Sequence, residues 1–374
     1  MFNVTLASAA EKTSASYLEK CRVPKLLQEP LSAGFPRDSA LIPSTGTIRS
    51  IFLYVDFLDN QSQQSNETFT KNYASGAKKF LETQSYGRAK FTFDTAQKTF
   101  RIQKDSSVYG LVKDGQGEAS ELIQDAINAA DSEVDFKNYN FVTVVVPKDS
   151  KSILFSGTIT GGEGLFTSEE RNFSSAIWIG KNKLSNFAQP GNGWSFYAHE
   201  IGHVLGLAHP YFQRDGGPGA IWDLMGNGGT SIPEFIGWHR FVLGWFKDSE
   251  VLCISKEDLT QVDQLILPIG NRSNGIKIVI IRLNNEQAIV VELRRRTSYD
   301  KLLKSEEGVI VYRVDVSKGD DQGIITLLGK KGTKREGQTL ESIKSGEKIS
   351  YGGLNFQVTL SSKSGDKVRI WRVV

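Results

Sequence analysis

The sequence predicts an α/β (α+β) domain with a mixed twisted sheet over residues 42–250, followed by an all-β, sandwich-like domain over residues 251–374. An N-terminal arm, residues 1–41, precedes them and reads as a truncated signal or propeptide segment. Three observations carry this division. Strand-like and helix-like periods alternate as far as the middle of the chain, the helical period then disappears, and 374 residues suit two domains at roughly 100–200 residues each.

Residues 50–57 (SIFLYVDF) have the density of β-branched and aromatic side chains of a strand, and 69–83 place Phe80 and Leu81 on one helical face. Residues 91–101 return as strand. Residues 118–131 space Leu122, Ile123, Ile127 and Ala130 as an amphipathic helix, and 141–147 (FVTVVVP) are continuously apolar, as a strand buried on both faces requires. A glycine-rich stretch, 157–164, reads as a loop leading to a further strand at 175–180, and 192–205 resume helical spacing. In the second domain the strand-like segments are 264–269, 276–283, 288–293, 308–315, 323–328, 348–350, 354–360 and 367–373, separated by Gly, Asn and Asp turns.

Composition excludes several classes. With 39% hydrophobic and 23% charged residues the chain is an ordinary globular one, and no apolar run reaches the roughly 18–20 residues of a membrane helix. The net charge of +3 gives no support to nucleic-acid binding, although residues 251–374 carry 21 Lys and Arg against 15 Asp and Glu. Two cysteines, Cys21 and Cys253, exclude a cysteine-rich metal cluster and admit a disulfide, two free thiols or a reactive pair.

Chemistry concentrates in one place. Three of the four histidines lie in the stretch His199-Glu200-Ile201-Gly202-His203-Val204-Leu205-Gly206-Leu207-Ala208-His209. On a helix, residues four apart share a face about 6 Å apart along the axis, so His199 and His203 can aim two imidazoles at one metal ion. Glu200 is placed to take a proton from a water at that metal. Gly206 suits the left-handed turn that ends a helix, after which His209 can supply a third imidazole and leave a fourth tetrahedral position open, as catalytic zinc sites do.

The pattern HExxHxxGxxH resembles the zinc signature of metzincin metallopeptidases, with Met225 in Trp222-Asp223-Leu224-Met225 as the Met-turn. Further stretches are similar to immune inhibitor A-like secreted metallopeptidases: Ile42-Pro43-Ser44-Thr45-Gly46 leading to Val55-Asp56-Phe57, then Ser85-Tyr86-Gly87-Arg88, Gly237-Trp238 and Leu243-Gly244-Trp245. The resemblance spans residues 42–246 and implies a metzincin-like catalytic domain, one catalytic Zn2+ and hydrolysis of peptide bonds in a protein or peptide substrate. It implies secretion and a zymogen, and the expected state is a monomer. Several metzincins carry a Tyr two residues after the Met, where this chain has Asn227, so His239 and Tyr211 are the candidate transition-state stabilisers. The resemblance also implies an extended substrate along an edge strand, for which 175–180 is the expected segment.

Cys21 has two readings at this point, a thiolate closing the open zinc position as in a cysteine switch, and a Cys21–Cys253 disulfide tying the arm to the domain junction; the disulfide is the expectation. Asp320-Asp321 is a candidate contributor to a Ca2+ site, otherwise unassigned. Two rival functions stand beside the peptidase: a non-enzymatic surface-binding or adhesion protein with a vestigial zinc site, and a peptidase using a downstream Glu ligand such as Glu234. Glu200 beside three histidines argues against the first, because a site kept for folding needs ligands and no base.

Overall fold

The computed structural model describes residues 15–61, 66–113, 116–162, 164–186, 193–210, 222–226, 233–302, 304–329, 334–335, 338–339 and 342–373. The chain divides into two compact units. One comprises Glu29–Leu31 and Arg37–Leu207; the other comprises the residues up to Gln28, Ser32–Pro36 and Ala208–Val374. The division falls at 207/208, where the sequence suggested 250.

The first unit is built on β1 (Gly46–Asp56), α2 (Asn66–Gln84), β2 (Ala89–Arg101), α3 (Ala119–Ala130), β3 (Phe141–Val145), β4 (Gly157–Thr160), the short β5 (Phe166–Thr167) and β6 (Asn172–Phe173), β7 (Ser175–Ile179), α4 (Lys181–Asn186) and α5 (Gly193–Val204); α1 (Ala15–Glu19) precedes them and belongs to the other unit. Its main sheet runs β2-β1-β3-β7-β4, parallel except for β4, which pairs antiparallel with β7. Side-chain alternation along β1 sorts the two faces. Ile51, Leu53, Val55 and Phe57 share a buried cluster with Leu122, Ile123, Ala126 and Ile127 of α3 and with Val142 and Val144. The even-numbered side chains face α2 and α5: Tyr54 Oη lies 2.8 Å from Thr70 Oγ1, and the Phe52 ring 5.1 Å from that of Tyr197. Helices therefore cover both faces of a sheet whose inner strands are largely buried, as β3 reads in the sequence.

One expectation fails here. The glycine-rich stretch at 157 begins β4, the sheet's edge strand, and 175–179 form an interior strand between β3 and β4. Gly157 lies opposite Trp178 in the register, and a Cβ at Gly157 would meet Trp178 Cη2 at 2.8 Å. The glycine there makes room for an indole; it does not break a strand.

The second unit contains α1, α6 (Gly237–Val242) and two sheets. One has the order β13-β12-β11-β10-β8, from β8 (Val251–Ser255), β10 (Ile278–Arg282), β11 (Gln287–Arg294), β12 (Gly308–Asp315) and β13 (Ile325–Leu328), with β16 (Ser342–Ile343) also on β12. The other has the order β17-β18-β19-β9, from β9 (Gln261–Ile266), β17 (Lys348–Tyr351), β18 (Leu354–Ser361) and β19 (Asp366–Arg372), while β14 (Lys334–Arg335) and β15 (Gln338–Thr339) pair with each other. The sheets share one apolar core, Val279, Ile289, Val291 and Val311 from the first and Leu354, Phe356, Val368 and Ile370 from the second. That is sandwich packing. Strand β8, unread in the sequence, pairs parallel with β10.

Segments far apart in sequence join this unit. Cys21 and Cys253 form a disulfide with Cα atoms 5.8 Å apart, so Cys21 is no free thiolate and the cysteine-switch reading falls. Closing so long a loop restricts the unfolded chain by roughly 5 kcal/mol in the chain-entropy picture. Trp238 of α6 donates from Nε1 to the Ala33 carbonyl at 2.9 Å and meets Phe35 edge-on. The disulfide fits an oxidising, extracellular environment, and among the described residues no helix is long and apolar enough to cross a membrane.

In the first unit, α2 and α5 approach closely because both carry glycine at the crossing. A Cβ on Gly76 would lie 2.4 Å from Trp194 Cγ, and one on Gly193 would lie 2.8 Å from Tyr73 Cζ. Gly76→Ala gains up to about 1 kcal/mol of helix propensity but forces an indole and two helices apart, which costs about 1–3 kcal/mol. The expected outcome is net destabilisation, read as a lower urea midpoint at unchanged m-value; a midpoint at or above that of the wild type is the contrary result.

Candidate metal centre

The centre starts from α5, a helix of 12 residues that is buried almost all round, with His199, Glu200 and His203 among its buried side chains. A helix of this kind has to satisfy its polar groups from neighbours. Tyr197 lies 2.9 Å from Thr143 Oγ1 of β3, and burial pushes its phenol well above the usual range, so it remains a neutral hydrogen-bonding group. Glu200 Oε2 accepts a hydrogen bond from Thr158 Oγ1 of the edge strand β4 at 2.7 Å.

The helix ends as the sequence predicts. Gly206 has φ +88°, its N–H donates to the His203 carbonyl at 2.8 Å, and the Leu207 N–H donates to the Gly202 carbonyl at 2.9 Å. This is the paired closure that a left-handed glycine permits. Arg37 adds a side-chain cap, its Nη2 donating to the carbonyls of Leu205 (2.8 Å) and Ile42 (3.0 Å).

His199 and His203 meet through their Nε2 atoms, 3.2 Å apart, with ring planes at 84°. His203 Nδ1 lies 2.8 Å from the Leu207 carbonyl. A carbonyl only accepts, so Nδ1 carries the proton and Nε2 presents a lone pair. Two residues past Leu207 stands His209, whose backbone N–H donates to Asp320 Oδ1 at 2.5 Å and whose Nδ1 lies 3.2 Å from Asp320 Oδ2. The carboxylate accepts that proton too, and the His209 Nε2 is again the atom left for a ligand. Along this continuous stretch, His199, His203 and His209 form a group that could hold a metal ion. Neutral imidazoles whose Nδ1–H groups are held by a carbonyl and a carboxylate fit the donor chemistry of zinc.

The remaining sequence candidates divide. Met225 is fully buried in the 3-10 turn Leu224–Gly226, its N–H donating to Asp223 Oδ1 at 3.0 Å. His239, a candidate stabiliser, is buried in α6 with Nδ1 2.7 Å from Asp223 Oδ2, the two atoms not aligned as a hydrogen bond. The same contacts occupy Asp223. Tyr211 and Asn227 lie outside the described residues.

Glu234, considered as a ligand, is a structural carboxylate instead. Its Oε2 accepts from Arg240 Nη2 at 2.6 Å and its Oε1 from Thr297 Oγ1 at 2.7 Å. Burial alone raises its pKa, but Arg240 and Arg294 outweigh that and hold it below the usual carboxylate range. Asp320 and Asp321, raised above as contributors to calcium binding, form with His209 a second group that could hold a metal ion, in which Asp320 already accepts from the His209 N–H.

Two partners of the centre escaped the sequence. Thr158 sits in a stretch read as a loop, and nothing local marks it. Asp320 was raised for a different ion, and its pairing with His209 was missed because it spans 111 residues.

No family model and no curated protein sequence matches the chain. Among solved structures, the chain is similar to catalytically inactive OgpA from Akkermansia muciniphila in complex with an O-glycopeptide (glycodrosocin) substrate. The alignment covers 91% of this chain and 96% of that one at 12% identity, with a TM-score of 0.28.

Thr158→Val removes the hydroxyl that serves a buried carboxylate while keeping the side chain's shape. The expected cost is about 1–3 kcal/mol of unfolding free energy, read by urea denaturation of metal-free protein. Unchanged stability would mean that the Glu200 carboxylate is served by water there.

Proposed function

We propose that the protein is a secreted zinc-dependent endopeptidase of metzincin type, with His199, His203 and His209 as the zinc ligands and Glu200 as the general base. The single observation that carries this reading is the arrangement on α5. Two Nε2 atoms converge at 3.2 Å, and the intervening Glu200 has its carboxylate held by Thr158. Adhesion or folding alone has no use for that carboxylate.

When bound, zinc would supply a Lewis acid that acidifies a water molecule and polarises a peptide carbonyl. The protein's own groups do the rest. Glu200 takes a proton from the attacking water and returns it to the departing amine, and Thr158 keeps one carboxylate oxygen engaged so that the other faces the reaction. His203 and His209 are oriented through their Nδ1 atoms by the Leu207 carbonyl and Asp320. The edge strand β4, antiparallel to the rest of the sheet, is the segment assigned to an extended peptide, in place of 175–180. Met225, buried in its turn, is the proposed Met-turn residue.

The deciding experiment measures zinc content and casein cleavage for the full chain and for Glu200→Gln. Stoichiometric zinc in both, with kcat/KM lowered about 10²–10⁴-fold in the variant, is the expected result. Zinc without any cleavage, or cleavage that survives the substitution, removes the peptidase assignment. A second measurement addresses the third ligand. Asp320→Ala should weaken zinc binding about 10–100-fold in a chelator competition, with Asp320→Asn recovering part of the loss because it still accepts the His209 N–H. Equal affinity in all three proteins would dissociate Asp320 from the metal centre.

A further inference from the structure

The sequence left an excess of positive charge in residues 251–374 with no function attached to it. Much of that charge converges on a cleft of about 900 Å³ in the β unit, formed by segments 268–271, 295–297, 304–308, 344–345 and 361–366. Its size is at the upper end of the roughly 300–1,000 Å³ usual for ligand clefts. Five cationic side chains, Arg295, Arg296, Lys304, Lys344 and Lys363, line it against two carboxylates, Glu307 and Asp366.

Internal pairing uses up part of this charge. Arg295 Nη2 donates to Asp366 Oδ1 at 2.5 Å, and Ser361 Oγ completes that pair at 2.7 Å from the same oxygen. Lys344 Nζ is held by the Ser342 hydroxyl at 2.7 Å and by the Glu307 carbonyl. Glu307 spends its Oε1 on the Arg296 backbone N–H at 2.8 Å. The side chains of Arg296, Lys304 and Lys363 are exposed and have no ion-pair partner among the described residues. Three like charges held around one concavity repel each other and raise the local concentration of anions.

The rest of the lining narrows the ligand. Among the described residues it contains no aromatic ring, so it offers no stacking platform for nucleic-acid bases. Apolar anchors are missing too, apart from Pro268, which disfavours a peptide or lipid that binds through side chains or tails. Hydroxyl and amide groups remain, the Ser345 hydroxyl and the Asn271 amide N–H among them, and these suit the hydroxyls of a sugar.

We propose that this cleft binds an acidic polysaccharide, a chain of sugars bearing sulfate or carboxylate groups, with Arg296, Lys304 and Lys363 contacting the anions. The site is independent of the peptidase reading. Its effect is to hold the protein at an anionic polymer.

The test is calorimetric titration of the full chain with a sulfated heparin-derived tetrasaccharide and, separately, a galacturonate tetrasaccharide. Binding of either, weakened by added salt and at least about tenfold weaker in Arg296→Gln/Lys304→Gln/Lys363→Gln, supports the proposal, and which sugar binds identifies the anionic group. A control triple, Lys256→Gln/Lys367→Gln/Arg372→Gln, removes the same charge outside the cleft and should bind as the wild type does. Single Lys363→Gln, at an exposed position, serves if the triple variant does not fold, with a smaller loss expected. Binding of neither sugar overturns the proposal, as does equal loss in the control or tighter binding of a thymidine oligomer of the same charge.

Discussion

A helix buried on nearly every face and carrying two histidines and a glutamate can exist only if each of those polar groups finds a partner. That requirement organises the first unit. Tyr197 reaches Thr143 inside the sheet, Glu200 reaches Thr158 at its edge, and His203 turns to the carbonyl of Leu207 beyond the helix end. Gly76 and Gly193 let α2 cover the helix closely. The same contacts that make burial tolerable also set the orientation of the imidazoles and the carboxylate, so stability and site geometry have a common origin.

The β unit meets a harsher version of the same constraint. Arg294 is fully buried, yet it reaches Asp300 through Nε and Nη2 at 2.7 Å each, Glu292 at 3.0 Å and the Trp222 carbonyl at 2.8 Å. Glu292 in turn accepts from the Gly237 N–H at 2.6 Å and the Tyr312 hydroxyl at 2.8 Å. A buried network of this kind contributes little net stability over apolar packing, but removing one member strands the others. It joins the turn containing Met225, helix α6 and strands β11 and β12 into one body, which explains why residues 208–250 belong with the β unit and not with the sheet that precedes them.

Most elements were legible because their signals are local. The apolar run at 141–147, the amphipathic helix at 118–131 and the turn at Gly206 each depend on residues within one or two turns of the chain. Where the reading failed, a distant residue had reversed the local meaning. Gly157 looked like a loop and is a strand residue under Trp178, and His239 looked available and is buried against Asp223. Strand β8 went unread because its partner, β10, lies some two dozen residues downstream and the segment itself is short.

The sequence by itself determined the ligand spacing of the centre, since positions four apart on a helix and a glycine turn three residues later are consequences of backbone geometry alone. It also supplied the proposed general base, Glu200, and the two cysteines. Only the tertiary structure decided which strand forms the sheet edge, that Thr158 serves Glu200, that Asp320 orients His209, and that Arg296, Lys304 and Lys363, from three separate segments, line one cleft. Those facts are contacts between residues far apart along the chain, and a contact of that kind leaves no periodic trace in either of the segments that make it.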